Sequence, residues 1–215
     1  MASKTHIFNN GPDESAMHPA GRTLLRTWER VRGEQSAPNR TDLTMRDLAN
    51  ILPWVCVLHR DPEQFAYTWR LAGTAVCETW GKSLTGQPAF MDWPSFDRET
   101  IVRGLYTVVG MKQPCVGRFV ARSFGGREVG FEFAAVPVIA SDGESVHAMA
   151  TFATFRDQRD VTGDPLVDFE IRRIRILWSD QLPGTPAFAT TPACGNNDVR
   201  RINSSFLRVI DGGKA

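Results

Sequence analysis

The stretch 114–155 constrains the fold more than any other part of the chain. Three apolar or alternating runs, "PCVGRFVARSF" (114–124), "REVGFEFAAVPVIA" (127–140) and "ESVHAMATFATF" (144–155), are joined by Gly125-Gly126 and Asp142-Gly143. Alternation at period two marks a half-buried strand, and Gly-Gly or Asp-Gly between two such runs is a strong hairpin signal. The stretch reads as a three-stranded antiparallel meander. Taken as two-residue turns, the links set Arg122 opposite Val129, Val120 opposite Phe131, Arg118 opposite Phe133, Phe133 opposite Phe152 and Ala135 opposite Ala150. Opposed residues share a face. That gathers Val120, Val129, Phe131, Phe133, Ala150 and Phe152 on one side and leaves Glu128, Glu132, His147 and Thr151 on a more polar side that faces solvent.

Upstream, the period is helical at first. "GRTLLRTWERVRGEQ" (21–35) places Leu24, Leu25, Trp28 and Val31 at helical spacing, and "TMRDLANIL" (44–52) follows, with Asp42 or Thr44 as N-cap and Pro53 closing it. "WVCVLHR" (54–60) and "FAYTWRLAG" (65–73) then read as a hairpin turning at "DPEQ", with Phe65, Tyr67, Trp69 and Leu71 on one side. Residues 74–80 form a short helix bounded by Gly73 and Gly81. A winding connection follows, then a longer helix over 95–112 with Ile101, Leu105 and Val108 as its buried stripe. The order gives an α+β domain: a five-stranded antiparallel sheet with helices between strands two and three, preceded by N-terminal helices. Residues 1–20 read as a flexible arm, 21–156 as the domain and 157–180 as an extension in which "VDFEIRRIRILW" (167–178) is helix or strand. Residues 181–215, interrupted by Pro183, Gly184, Pro186, Pro192 and Gly195, read as a disordered tail with "SSFLRVI" (204–210) as its apolar exception.

Charge and cysteine usage narrow the classes. Twenty-five Lys and Arg against 24 Asp and Glu leave a net charge of +1, which gives no reason to expect nucleic acid or an anionic membrane as partner. The four cysteines include no CxxC pair, so zinc and thioredoxin-type readings lack support. The first twenty residues lack a signal-peptide core, and no apolar run is long enough to span a membrane. The expectation is a cytoplasmic protein, and the glycosylation patterns at Asn39 and Asn203 are chance matches.

The pieces "LLRTWERVRG", "LANILPWVCVLHR", "FAYTWRLAGTAVCETWGKSLTG" and "GREVGFEFAAVPV" resemble a family of small bacterial PAS-domain proteins, over about residues 20–156. The most specific piece, "WRLAGTAVCETWGKSLTG", is similar to that family's Y-R-L-x-G-T … G-x-x-L-x-G pattern, with Trp69 where the family more often has tyrosine. The resemblance implies a PAS-like fold and a sensory or interaction module that binds a small molecule or a protein partner and signals through protein contacts. It also implies pairing of two copies through an N-terminal helix. Leu24, Trp28 and Val31 in 21–35 offer apolar surface for such a homodimer, or for packing on the chain's own sheet.

No catalytic constellation is legible. PAS domains sometimes hold haem through histidine, but His59 and His147 have no supporting motif and read as satisfied or surface residues. Cys77 in "TAVCETWG" lacks the Asn and Arg of a flavin-reactive helix. Glu128 and Glu132, about 13 Å apart by strand rise, are too far apart for a glycosidase pair. Arg172, Arg173, Arg175, Arg200 and Arg201 read as solvated charge. The ligand-binding set is Trp80, Leu105, Arg118, Val120, Phe131, Phe133 and Phe152, with Trp80 and Leu105 as lids. In that set Arg118 either meets an anionic ligand group or, as an edge-strand arginine, sends its charge to water. No metal ligand is assigned and no cofactor is identified. Two other classes stay open: a small-molecule-processing enzyme, which would need a His-Asp or Tyr-Asp pair in its cavity, and a ligand-free structural adaptor whose core is filled by its own side chains.

Overall fold

The computed structural model describes residues 17–61, 63, 66–156 and 161–178. Its elements run α1 (Pro19–Arg32), α2 (Met45–Leu48), a 3-10 stretch at Ala49–Trp54, β1 (Val55–Asp61), β2 (Ala66–Ala72), α3 (Thr74–Trp80), α4 (Ser95–Met111), β3 (Cys115–Ser123), β4 (Glu128–Ile139), β5 (Val146–Thr154) and β6 (Leu166–Ile176). The strands form one antiparallel sheet in the order β2-β1-β5-β4-β3-β6. One strand more than expected is present: "VDFEIRRIRILW" resolves to a strand that closes the free edge of β3. The segments 1–16 and 179–215, and with them the stretch 204–210, lie outside the described residues.

The sheet is covered on both faces. Inside, α3, α4 and the connection between them close over Trp69, Phe119, Phe131, Phe133, Phe152 and Phe169. Outside, α1 and α2 close over Val55, Val57, Val136, Val138 and Met149. This two-sided burial explains why "AAVPVI" in β4 abandons alternation: both of its faces meet apolar layers. The outer layer also settles the α1 stripe. Leu24, Leu25 and Trp28 are buried against the chain's own sheet, and Trp28 Nε1 donates a hydrogen bond to the Pro137 carbonyl at 2.7 Å. Val31, the last residue of the stripe, is partly buried against the same layer. The helix also starts earlier than expected, with Met17 buried and His18 as its N-cap in place of a free arm.

Two glycines fix the local geometry of α3. Gly81 ends the helix in the left-handed region at φ 66°, where a side chain would be strained. Gly73 has an ordinary φ, but a Cβ there would collide with the carbonyls of Leu52 and Pro53. Its role is close approach, not the sharp turn its place after β2 suggests. A bulge in the β1–β2 pair sets Val57 opposite Leu71 but Leu58 opposite Trp69, leaving Arg70 extra. One extra residue reverses the faces beyond it, so Leu71 points outward and is 45% exposed while Tyr67 and Trp69 stay buried.

The first meander turn differs from a two-residue link. Ser123 N donates to Arg127 O at 2.8 Å, Gly126 N donates to Ser123 O at 2.9 Å, and Gly126 takes φ 82°. Three residues, Phe124 to Gly126, therefore form the loop, a common form in which a turn is followed by a left-handed residue. The pairing becomes Arg118 to Glu132, Phe119 to Phe131, Val120 to Gly130 and Ala121 to Val129. A one-residue shift moves a strand's side chains to the other face. Phe119 thus takes the inner place expected for Val120. The second turn keeps the expected pairs, Phe133 with Phe152 and Ala135 with Ala150.

Candidate functional site

The inner face brings together five of the seven expected binding residues. Trp80, Leu105, Phe131, Phe133 and Phe152 are all buried there. Arg118 and Val120 are not among them. The hairpin register places both on the outer face, half-buried, because β3 alternates Gly117, Phe119 and Ala121 inward against Arg118, Val120 and Arg122 outward. That alternation was itself a usable signal, since two arginines and a phenylalanine declare opposite faces.

Aromatic rings interlock on the inner face. Trp80 stacks on Phe169 at 5.2 Å, Trp93 stacks on the same ring at 5.0 Å, and Phe119 stacks on Phe131 at 5.0 Å. Phe133 lies 4.6 Å from Phe152, and Trp69 lies 5.6 Å from Phe152. Offset and edge-to-face pairs at these spacings add to burial energy. Two polar atoms stand out in this layer: Tyr67 Oη and Trp93 Nε1 are buried with no hydrogen-bond partner among the described residues. Phe90, Trp93, Phe119 and Phe169 joined the cluster without being expected there, Phe169 because its strand was unassigned.

The charged chemistry lies on the outer face. Glu132, expected in solvent, is 1% exposed beneath the start of α1. Its Oε1 and Oε2 accept from the His18 backbone N at 3.1 and 3.2 Å, and Arg118 Nη2 meets Oε2 at 2.9 Å. Burial pushes the Glu132 carboxyl up to about 7, against the opposing pull of Arg118, the His18 hydrogen bond and Arg22. Gly21 makes room for it, because a Cβ there would collide with Oε1. The arginine lies over the Phe155 ring at 4.3 Å, and the His18 ring meets Phe155 edge-on at 5.8 Å. Burial, with Arg118 and Arg22 nearby, lowers the His18 pKa, while a hydrogen bond to the Thr154 backbone opposes the shift. Beside this clasp an open cleft of about 450 Å³ is lined by His18, Thr23, Asn50, Ile51, Trp54 and Arg156, among others. Two strands thus hold the beginning of a helix through one buried carboxylate, and that carboxylate titrates near neutral pH.

His59 Nδ1 lies 3.0 Å from His147 Nε2 as a cross-strand pair, and burial, with His59 as the next cause, lowers the His147 pKa. Burial raises the thiols of Cys56 and Cys115, the latter to about 12, the opposite of an activated nucleophile. Among the described residues no three His, Cys, Asp or Glu side chains form a metal-holding group, and no helix is long and apolar enough to cross a membrane.

A family model described as the PAS domain matches residues 16–153. A search of curated proteins finds no match.

Proposed function

The chain belongs to the PAS-domain family, and on that premise we propose that it works as a non-enzymatic sensory and interaction module, signalling through protein contacts of its outer layer in a cytoplasmic setting. One observation carries this reading. The inner layer is closed by the protein's own rings, whereas the polar chemistry gathers outside the sheet, where Glu132 and Arg118 clasp the start of α1. A buried ion pair is weak evidence for stability, and here it joins an N-terminal helix to two strands, a suitable place for a partner to bias the structure.

A second reading, a small-molecule sensor, is favoured by Tyr67 Oη and Trp93 Nε1, which are buried without partners. An unmade hydrogen bond of this kind costs about 1–3 kcal/mol, and a ligand acceptor would remove that cost. Trp80, Leu105, Phe131, Phe133 and Phe152 would then form the wall it meets. Native mass spectrometry of protein taken directly from cells separates the two. The chain mass alone is expected. A co-purified ligand whose retention falls in Trp93→Phe or Tyr67→Phe would overturn the first reading in favour of the second.

A further inference from the structure

We propose that the outer face of β3 and β6 docks an acidic segment of another protein. This rests on the reading of the chain as an interaction module and names the chemistry of its partner. α1 lies across β4 and β5, and the neighbouring rows on β3 and β6 extend beyond it. Reading those rows across the sheet, Val116 pairs with Arg175, Arg118 with Arg173, Val120 with Glu170 and Arg122 with Asp168, so the positive excess lies at the Arg173 and Arg175 end. Like charges directly opposite one another are unfavourable, yet Arg118 and Arg173 are so placed. Arg118 is held by Glu132, and Glu170 is taken by Arg172 at 2.7 Å. Neither Arg173 nor Arg175 has an ion-pair partner among the described residues.

The flank of α1 adds to this charge. Arg22, Arg26 and Arg30 follow one another four residues apart along one stripe of α1; Arg30 pairs with Asp47, and Arg22, at the other end of the stripe, stands by Glu132. Arg22 bears on Glu132 electrostatically and its Nη2 donates to the Met17 carbonyl at 3.2 Å, while its buried Nε has no hydrogen-bond partner among the described residues. The result is a strip of the outer sheet face on which Arg118, Arg173 and Arg175 stand beside half-buried Val116 and Val120. Guanidinium groups grip carboxylates bidentately, and the two valines suit interspersed aliphatic side chains. The chain's own C-terminal segment is a poor match: 179–215 carries Asp180, Asp198 and Asp211 against Arg200, Arg201, Arg208 and Lys214.

Fluorescence anisotropy with a short labelled peptide of alternating glutamate and leucine tests this on the full chain. Saturable binding that weakens with added salt is expected, and Arg173→Glu/Arg175→Glu should weaken it at least about tenfold, two charge contacts' worth. Arg98→Glu, on α4 at the other face, should leave it unchanged. Circular dichroism checks that the double variant folds, and Arg173→Gln/Arg175→Gln, expected to lose affinity less, serves if it does not. Four outcomes overturn the proposal: no binding of the peptide, equal binding by the double variant, tighter binding of a single-stranded oligonucleotide of matched charge, or self-association abolished by the same substitutions. A co-purified interior ligand would instead count against the interaction reading itself, and the peptide titration does not depend on it.

Discussion

Glu132 is the residue on which most of the outer layer turns. Its folded pKa of about 7 lies above the ordinary 4.5, so the folded chain binds this proton more tightly than the unfolded chain. Stability from this group is greatest at low pH and falls as pH rises from about 4.5 through 7. His18 and His147 act in the opposite sense. Their pKa values are lowered from 6.5, so the stability they carry is present above that value and is lost as pH falls. The wild-type curve therefore sums opposing slopes, and Glu132→Gln isolates one of them, since its amide oxygen still accepts from His18 N. The variant should gain on the wild type by a few degrees in Tm between about pH 5 and pH 8. A difference constant across that range would show that Glu132 does not titrate there. Glu132→Ala is different: it removes the buried carboxylate that Arg118 pairs with and the acceptor of the His18 N–H, and urea denaturation should show a loss of about 3–5 kcal/mol, as for a broken buried pair.

Among the elements, β6 closes the free edge of β3 and α1 covers the outer face of the sheet. β6 pairs along the whole of β3, and its Phe169 stacks between Trp80 and Trp93. Ending the chain after residue 160 should open the β3 edge and remove that ring, which costs far more than a loop deletion, so thermal melting should lose its cooperative transition. Ending it after Asp180 should leave Tm nearly unchanged, and a drop of several degrees would show that the segment beyond it packs on the sheet. In α1, Trp28→Phe removes the 2.7 Å bond to Pro137 O and should cost about 1–3 kcal/mol in chemical denaturation. The sequence made some elements legible and hid others for physical reasons. α3 was readable from its bounding glycines, and the meander from its turns, because local backbone chemistry decides both. β6 stayed ambiguous because "FEIRRIRI" fits either period, and a bulge at Arg172 breaks its alternation. Glu132 could not be located, because a carboxylate on a strand reads as exposed until a second layer is known to cover it. Five of the seven residues share the inner face, and for those on the strands this was legible because aromatic alternation in β4 and β5 survives any turn of matching parity. Arg118 and Val120 failed on a single residue of loop length.

For the molecule as a whole, the question is whether the inner layer can accept anything beyond its own side chains. Phe131 sits at its centre, with Phe119 at 5.0 Å, Phe152 at 6.0 Å, Phe169 at 6.1 Å, Trp80 at 6.3 Å and Trp93 at 6.4 Å. Phe131→Ala should therefore cost about 3–5 kcal/mol, because the surrounding rings are held from both the sheet and the helices and cannot collapse into the space. An apolar cavity made this way stays dry and takes up small aromatic molecules. Adding indole should raise the variant's Tm and leave the wild type unmoved, since ligand binding stabilises only a state that has room for it. The variant thus carries a vacancy against which the wild-type interior is compared. A wild-type Tm that rises with indole would mean that the rings part readily, and Tyr67 Oη and Trp93 Nε1 would become the polar contacts of a small-molecule site. An unmoved wild type with a rescued variant would instead leave the outer layer, with its clasp and the arginines of β3 and β6, as the surface through which this module acts.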